Sequence, residues 1–200
     1  MNETLAHIGE TGVLERILSK LPADPAAVCG PGDDCAVIKI SSATDEELAL
    51  TSDPVIEGTH FNASDAPWKT GRKAVGRALS DLAAMGSIPG WALINIAAPP
   101  DTPSACITGF YDGILSLSQK YGLVISGGDI SESPVKTINV FAVGRLPAGS
   151  AVLRSGASPG DEIFVTGLLG AGRAGKHFMF DPRVHEGIFL RDYATSMIDI

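Results

Sequence analysis

Five aspartates end or interrupt apolar stretches of this chain: Asp34, Asp53, Asp81, Asp129 and Asp199. The segment LALTSDPVIEGTHF, residues 48–61, carries the densest chemistry, because its apolar run closes on Thr51, Ser52 and Asp53 before Pro54. A carboxylate flanked by two hydroxyls offers the all-oxygen ligand set that a hard cation requires. One such tripeptide is ordinarily a polar exit from a strand; its recurrence at element ends is what points to a metal. Gly127, Gly128 and Asp129 follow an apolar run. They read as a tight turn able to bring backbone amides and a carboxylate to phosphate and metal. Arg154 lies in a loop beside Ser155 and Gly156, and its guanidinium is the right shape to clamp a phosphate. His60 sits in the loop after Pro54; a lone histidine there is more often structural or solvent-facing than a ligand.

Two further patterns fall in one glycine-rich run, residues 167–175. Gly170, Gly172 and Gly175 match GxGxxG, and Gly170 with Gly175-Lys176 nearly matches a Walker A loop. The Walker reading fails at His177, where a Ser or Thr should reach magnesium. The dinucleotide reading lacks a following strand with a terminal acid. A flexible glycine turn is the simpler account.

The elements that must position these groups alternate strands and helices. Residues 11–21 read as an amphipathic helix with Val13, Leu14, Ile17, Leu18 and Leu21 on one face. A Pro/Gly-rich loop over 22–32 leads to a strand at 35–40, a polar turn, and an antiparallel partner at 48–53 that Pro54 is expected to stop. Apolar residues spaced by three and four predict a helix over 69–85, with Gly86 after its end. A strand at 91–97 follows, then a helix opened by Asp101-Thr102-Pro103 with proline at its first turn and Gly122 at its close. Strands are expected at 123–126, 137–144, 162–166 and 197–200, and a helix over 184–194. The fold class is therefore α+β, a mixed or antiparallel sheet with flanking helices. The strands are apolar on much of both faces; the helices cover one, and the other needs a partner.

Composition narrows the function. Two hundred residues suit one domain or one domain with part of another, and 44% hydrophobic residues supply a core. The net charge of −8 argues against nucleic acid as a partner. Three cysteines (Cys29, Cys35 and Cys106), with no CxxC, read as reduced thiols of a cytoplasmic protein. No basic-plus-apolar leader opens the chain and no apolar run reaches membrane-spanning length.

Five segments appear in a telling order: GPGDDCAVI (30–38), TSDPVIEGTHF (51–61), ALSDLAAMGSIP (78–89), SGGD (126–129) and LRSGASPGDEIFVTG (153–167). Together they resemble the thiamine-monophosphate kinase family, within the superfamily that includes aminoimidazole ribonucleotide synthetase. The resemblance implies that residues 1–150 form an N-terminal ATP- and metal-binding domain and that 151–200 begin a second, substrate-side domain. It implies ATP-dependent, Mg2+-assisted phosphorylation of thiamine monophosphate to thiamine diphosphate by a homodimer. Asp34, Thr51, Ser52, Asp53, Asp81, Asp129 and Asp199 would hold Mg2+. Tyr111, Asp112, Gly128, Asp129 and Arg154 would contact ATP, and His60 would face the phosphorylated substrate. The family's next motif, a Ser-Asp-Gly run, would follow Ile200. Two alternatives stand beside this reading: another ATP-using member of the superfamily, such as a purine-pathway ligase, or a non-catalytic nucleotide-binding or dimerisation module.

Overall fold

The computed structural model describes residues 5–22, 25–30, 32–40, 44–170, 172 and 175–200. Helix α1 (Leu5–Leu18) precedes strands β1 (Ala27–Cys29), β2 (Ala36–Lys39) and β3 (Glu46–Ile56). Helix α2 (Pro67–Ala84), strand β4 (Ile88–Ala98) and helix α3 (Ser104–Tyr121) follow. Strands β5 (Val124–Glu132) and β6 (Thr137–Pro147) complete the sheet, and short helices α4 (Lys176–Met179) and α5 (Val184–Leu190) come last.

The six strands form one sheet in the order β1-β2-β3-β6-β4-β5. Every pairing is antiparallel except β4 with β5, the two strands joined through α3. This is the mixed sheet with flanking helices expected from the sequence. Helices α2 and α3 lie on one face. Side-chain alternation along β4 sends Ala92, Ile94 and Ile96 into the core beneath them and leaves Trp91, Leu93 and Asn95 exposed on the other face. Leu79, Leu82, Phe110, Ile114 and Leu117 fill the space between helices and sheet and are fully buried. The two helices approach closely because glycines face backbone across the contact. A Cβ on Gly71 would lie 1.9 Å from the Phe110 carbonyl oxygen, and one on Gly113 would lie 1.7 Å from that of Trp68. No helix among the described residues is long and apolar enough to cross a membrane.

Several expectations are corrected. Strand β3 runs straight through Pro54, which pairs with Asn139 of β6. Beyond Leu50 the strand has no β2 residue beside it. The Pro54 carbonyl accepts from Arg77 at 3.0 Å, so in an antiparallel ladder the missing N–H also falls on that unpaired side, where proline is tolerated. Gly127-Gly128-Asp129 is not a turn but the middle of β5, pairing with Leu93, Ile94 and Asn95. Gly128 is needed there because a Cβ would lie 1.8 Å from the Ile94 carbonyl oxygen. The loop over 22–32 contains β1, held by Ala27 and Cys29 against β2. Pro103 occupies the cap position before α3 rather than its first turn.

Residues 162–166 and 197–200 form no strand. Ile163 and Phe164 are 95% and 81% exposed, and an apolar run with no neighbouring strand to pair with does not become one. Helix α5 ends at Leu190, short of 194. Helix α1 begins earlier and ends sooner than expected, and Leu14 and Ile17 on its apolar face are exposed; the side chain of Val13 lies outside the described residues. The cysteines are free thiols, Cys35 buried and Cys29 and Cys106 half-buried.

Candidate metal centre

Asp34, Asp81 and Asp199 come from three separate parts of the chain, and a carboxylate oxygen of each lies within 4.8 Å of the others. Asp34 lies two residues before the short strand β2, and its side chain is fully buried. Asp81 lies in the last turn of α2, which the three-and-four spacing of Ala74, Ala78, Leu79 and Leu82 presses onto the sheet. Asp199 arrives on an irregular segment pinned from several sides. Ser196 Oγ donates to the Arg154 carbonyl at 2.9 Å, and Thr195 Oγ1 donates to Asp161 Oδ2 at 2.8 Å. Gly156 fits so closely that a Cβ there would lie 1.8 Å from the Thr195 carbonyl oxygen.

Alternation along β3 sorts the Thr51-Ser52-Asp53 tripeptide. Thr51 and Asp53 face the helix layer and Ser52 points to the opposite side, exposed. The Thr51 hydroxyl donates to Asp81 Oδ2. Asp53 is held by the Arg77 guanidinium at 3.1 Å. Arg154 lies over Asp34, its Nε 3.1 Å from Oδ2 and its Nη2 on Oδ1. Its backbone N–H donates to Asp33 Oδ2 at 3.0 Å.

So many carboxylates in one half-buried place are costly as anions. Burial raises the Asp81 pKa to about 7; repulsion from Asp53, Asp199 and Asp34 adds to this, and the Thr51 hydrogen bond opposes it. Burial also raises Asp53, against the pull of Arg77 and His60. Asp199 is raised by burial first, then by its hydrogen bond to Asp34 and that group's charge, while a Ser80 hydrogen bond works the other way. A divalent cation relieves the same repulsion that protons and arginines otherwise relieve. The donors are all oxygen, which suits magnesium or calcium and not a thiolate-loving metal.

The other expected residues are distributed more widely. Asp129 is exposed on β5 at the far edge of the sheet, with β4 and β6 between it and β3. It nevertheless shares a row with the site: Asp129 pairs with Asn95, Asn95 with Asn139, and Asn139 with Pro54. Gly128 adjoins it. Tyr111 and Asp112 sit on α3 in the helix layer, Tyr111 packed against the core and Asp112 exposed. His60 accepts the Ile56 N–H at Nδ1, 3.0 Å away, and its carbonyl accepts from Lys73. It borders a cleft of about 350 Å³ shared with Asp65, His177 and Phe178. Burial, then Arg77 and Lys73, lower the His60 pKa, so the ring is neutral at pH 7.

Sequence reasoning assigned no site role to Arg77, Asp33, Lys73 or Ser80. Arg77 was visible: it precedes Asp81 by four residues, which puts the two on one face of a helix. The long-range partnership of Asp33 with Arg154 has no such local signal. Lys176, the lysine of the near-Walker pattern, is spent on the Leu168 carbonyl.

The fold and site place the chain among known proteins. Residues 32–146 match the AIR synthase related protein, N-terminal domain, and the chain belongs to that family. Its branch is that of the thiamine-monophosphate kinases. The thiamine-monophosphate kinase of Escherichia coli (strain K12) is 33% identical over 96% of this chain and 65% of its own length. That of Aquifex aeolicus (strain VF5) is 37% identical over 86% of this chain and 53% of its own. The solved structure of AaThiL complexed with AMPPCP and TMP superposes with a TM-score of 0.88 and 30% identity, covering 98% of this chain and 67% of that one. The chain thus spans about 65% of the E. coli relative.

Proposed function

We propose that this chain carries the ATP- and Mg2+-binding part of a kinase that phosphorylates thiamine monophosphate to thiamine diphosphate. The observation that carries the reading is the convergence of Asp34, Asp81 and Asp199 in a chain similar to AaThiL, whose complex holds AMPPCP and TMP. Asp34, Asp81 and Asp199 would hold Mg2+, with Asp53 and Thr51 beside them. Bound there, the metal would offset the charge of the donor's phosphates, which a wall of carboxylates alone would repel.

The chain's own groups do the rest. Thr51 fixes the rotamer of Asp81, and Arg77 fixes that of Asp53. Gly128 lets the β5 backbone lie close to β4, which leaves Asp129 and the neighbouring amides at the sheet edge for the nucleotide. Tyr111, Asp112 and Arg154 are the remaining nucleotide contacts in this proposal. His60, neutral and beside the cleft, faces the acceptor. An acceptor phosphate oxygen is already anionic near neutral pH, so no strong general base is required. Catalysis is then positioning and electrostatics.

Residues 1–150 would form the nucleotide half, and 151–200 would begin a second domain that encloses the acceptor. The exposed Ile163, Phe164 and Leu168 support a partner for that segment. A cytoplasmic homodimer joined through the open sheet face, at Trp91, Leu93 and Val124, would cover apolar surface otherwise 43%, 43% and 56% exposed. Light scattering at micromolar concentration should give twice the chain mass; a monomer would count against this assembly.

The functional test is formation of thiamine diphosphate from thiamine monophosphate and ATP, by this chain and by the same residues completed to the relatives' length. The completed protein should turn over and the chain alone should do so little. Equal turnover would overturn the assignment of the acceptor to a second domain. No product from either would overturn the kinase reading.

A further inference from the structure

We infer that Arg154 is a resident counter-cation of the metal centre, occupying Asp34 while the divalent ion is away and competing with it. This rests on the metal reading above. Asp34 is the most deeply buried carboxylate of the converging three, and Arg154 engages both of its oxygens, Nε on Oδ2 at 3.1 Å and Nη2 on Oδ1. The same guanidinium stands 3.7 Å from Asp33. An ion shared by Asp34, Asp81 and Asp199 must therefore approach a carboxylate that already carries a positive partner.

The charge count explains why the partner is there. Asp33, Asp34, Asp53, Asp81 and Asp199 gather in this region, and the positive side chains bonded to them are Arg154 and Arg77. A buried carboxylate left unpaired is strongly destabilising. Arg154 removes that penalty at Asp34 in the metal-free chain. Its backbone is anchored independently of its side chain: the N–H donates to Asp33 at 3.0 Å, and the carbonyl accepts from Ser196 at 2.9 Å. The guanidinium, 40% exposed, can therefore leave without unfastening the turn that carries it. Competition for one carboxylate is reciprocal: whatever factor Arg154 takes from the metal's affinity, the metal takes from Arg154's hold. A released guanidinium at this place would face the metal-bound phosphates. Metal loading and exposure of a phosphate-binding arginine thereby become one event.

The test uses Mn2+ alone as probe, with free ion measured by electron paramagnetic resonance and no nucleotide present. Arg154→Met keeps the aliphatic stem and removes the charge. It should bind Mn2+ about twofold to fivefold more tightly than the unaltered chain, the size expected of a partly exposed charge pair. Arg154→Lys keeps a charge without the two-pronged grip and should fall between them. If Arg154 merely holds Asp34 in position, Arg154→Met binds more weakly, and that result, or equal affinity, overturns the inference. Should circular dichroism show Arg154→Met unfolded, Arg154→Lys decides: tighter binding supports competition, and equal or weaker binding overturns it. Failure of all three chains to take up millimolar Mn2+ would overturn the metal reading and this inference together.

Discussion

Replacing Asp81 by Asn should stabilise the metal-free chain at pH 8 while damaging the site. The carboxyl of Asp81 titrates at about 7 in the folded chain against 3.8 ordinarily, chiefly because it is buried. A raised carboxylate pKa means that the folded state holds its proton more tightly than the unfolded state does. Stability therefore falls as pH rises from 3.8 to about 7, and the full penalty remains above that. At about 1.4 kcal/mol per pH unit the ceiling is about 4 kcal/mol. Asp81 is only half-buried and water screens it, so about 1–2 kcal/mol is the realistic share. The Asn amide removes the charge and its oxygen still accepts from Thr51. For a chain of this size that gain raises the melting temperature by about 2–8 °C. Thermal melts with chelator between pH 5 and pH 8 should show the difference growing with pH, and saturating Mg2+ should reverse the order. A variant less stable than the parent throughout, or a difference that does not vary with pH, would refute the reasoning.

Two other substitutions test the placement of groups. Ser52→Ala should leave Mg2+ affinity unchanged by calorimetry, because Ser52 faces away from the cluster, whereas Thr51→Ala should weaken it severalfold by freeing Asp81. Gly113→Ala puts a methyl 1.7 Å from the Trp68 carbonyl oxygen; urea denaturation should show a loss of at least about 1–3 kcal/mol, the usual range for overpacking.

What the sequence made legible follows the range of the forces involved. Period-two and three-to-four patterns found β2, β4, β6, α2 and α3, because each buries one face against the same core. The aspartates at 34, 81 and 199 were legible as chemistry through their recurrence at the ends of apolar runs, each one alone having an ordinary structural account. Their convergence was implied only by the family resemblance and not by any local pattern, because it depends on the Ser196–Arg154 and Asp33–Arg154 bonds between segments far apart in sequence. Pro54 misled because its tolerance depends on which side of β3 lacks a partner. Gly127-Gly128 misled because glycine marks both a turn and a close backbone approach. Residues 162–166 have the composition of a strand and no neighbour to pair with, so local preference alone did not make one.

The central claim is that Asp34, Asp81 and Asp199 hold a divalent cation that brings ATP to this chain. Isothermal titration of AMPPCP into the chain, with Mg2+ and then with chelator, tests it most directly, with Asp34→Asn alongside. Binding that needs Mg2+ and is lost or weakened at least tenfold in Asp34→Asn is the predicted result. Equal affinity with chelator present, or an Asp34→Asn variant that binds as the parent does, would contradict it.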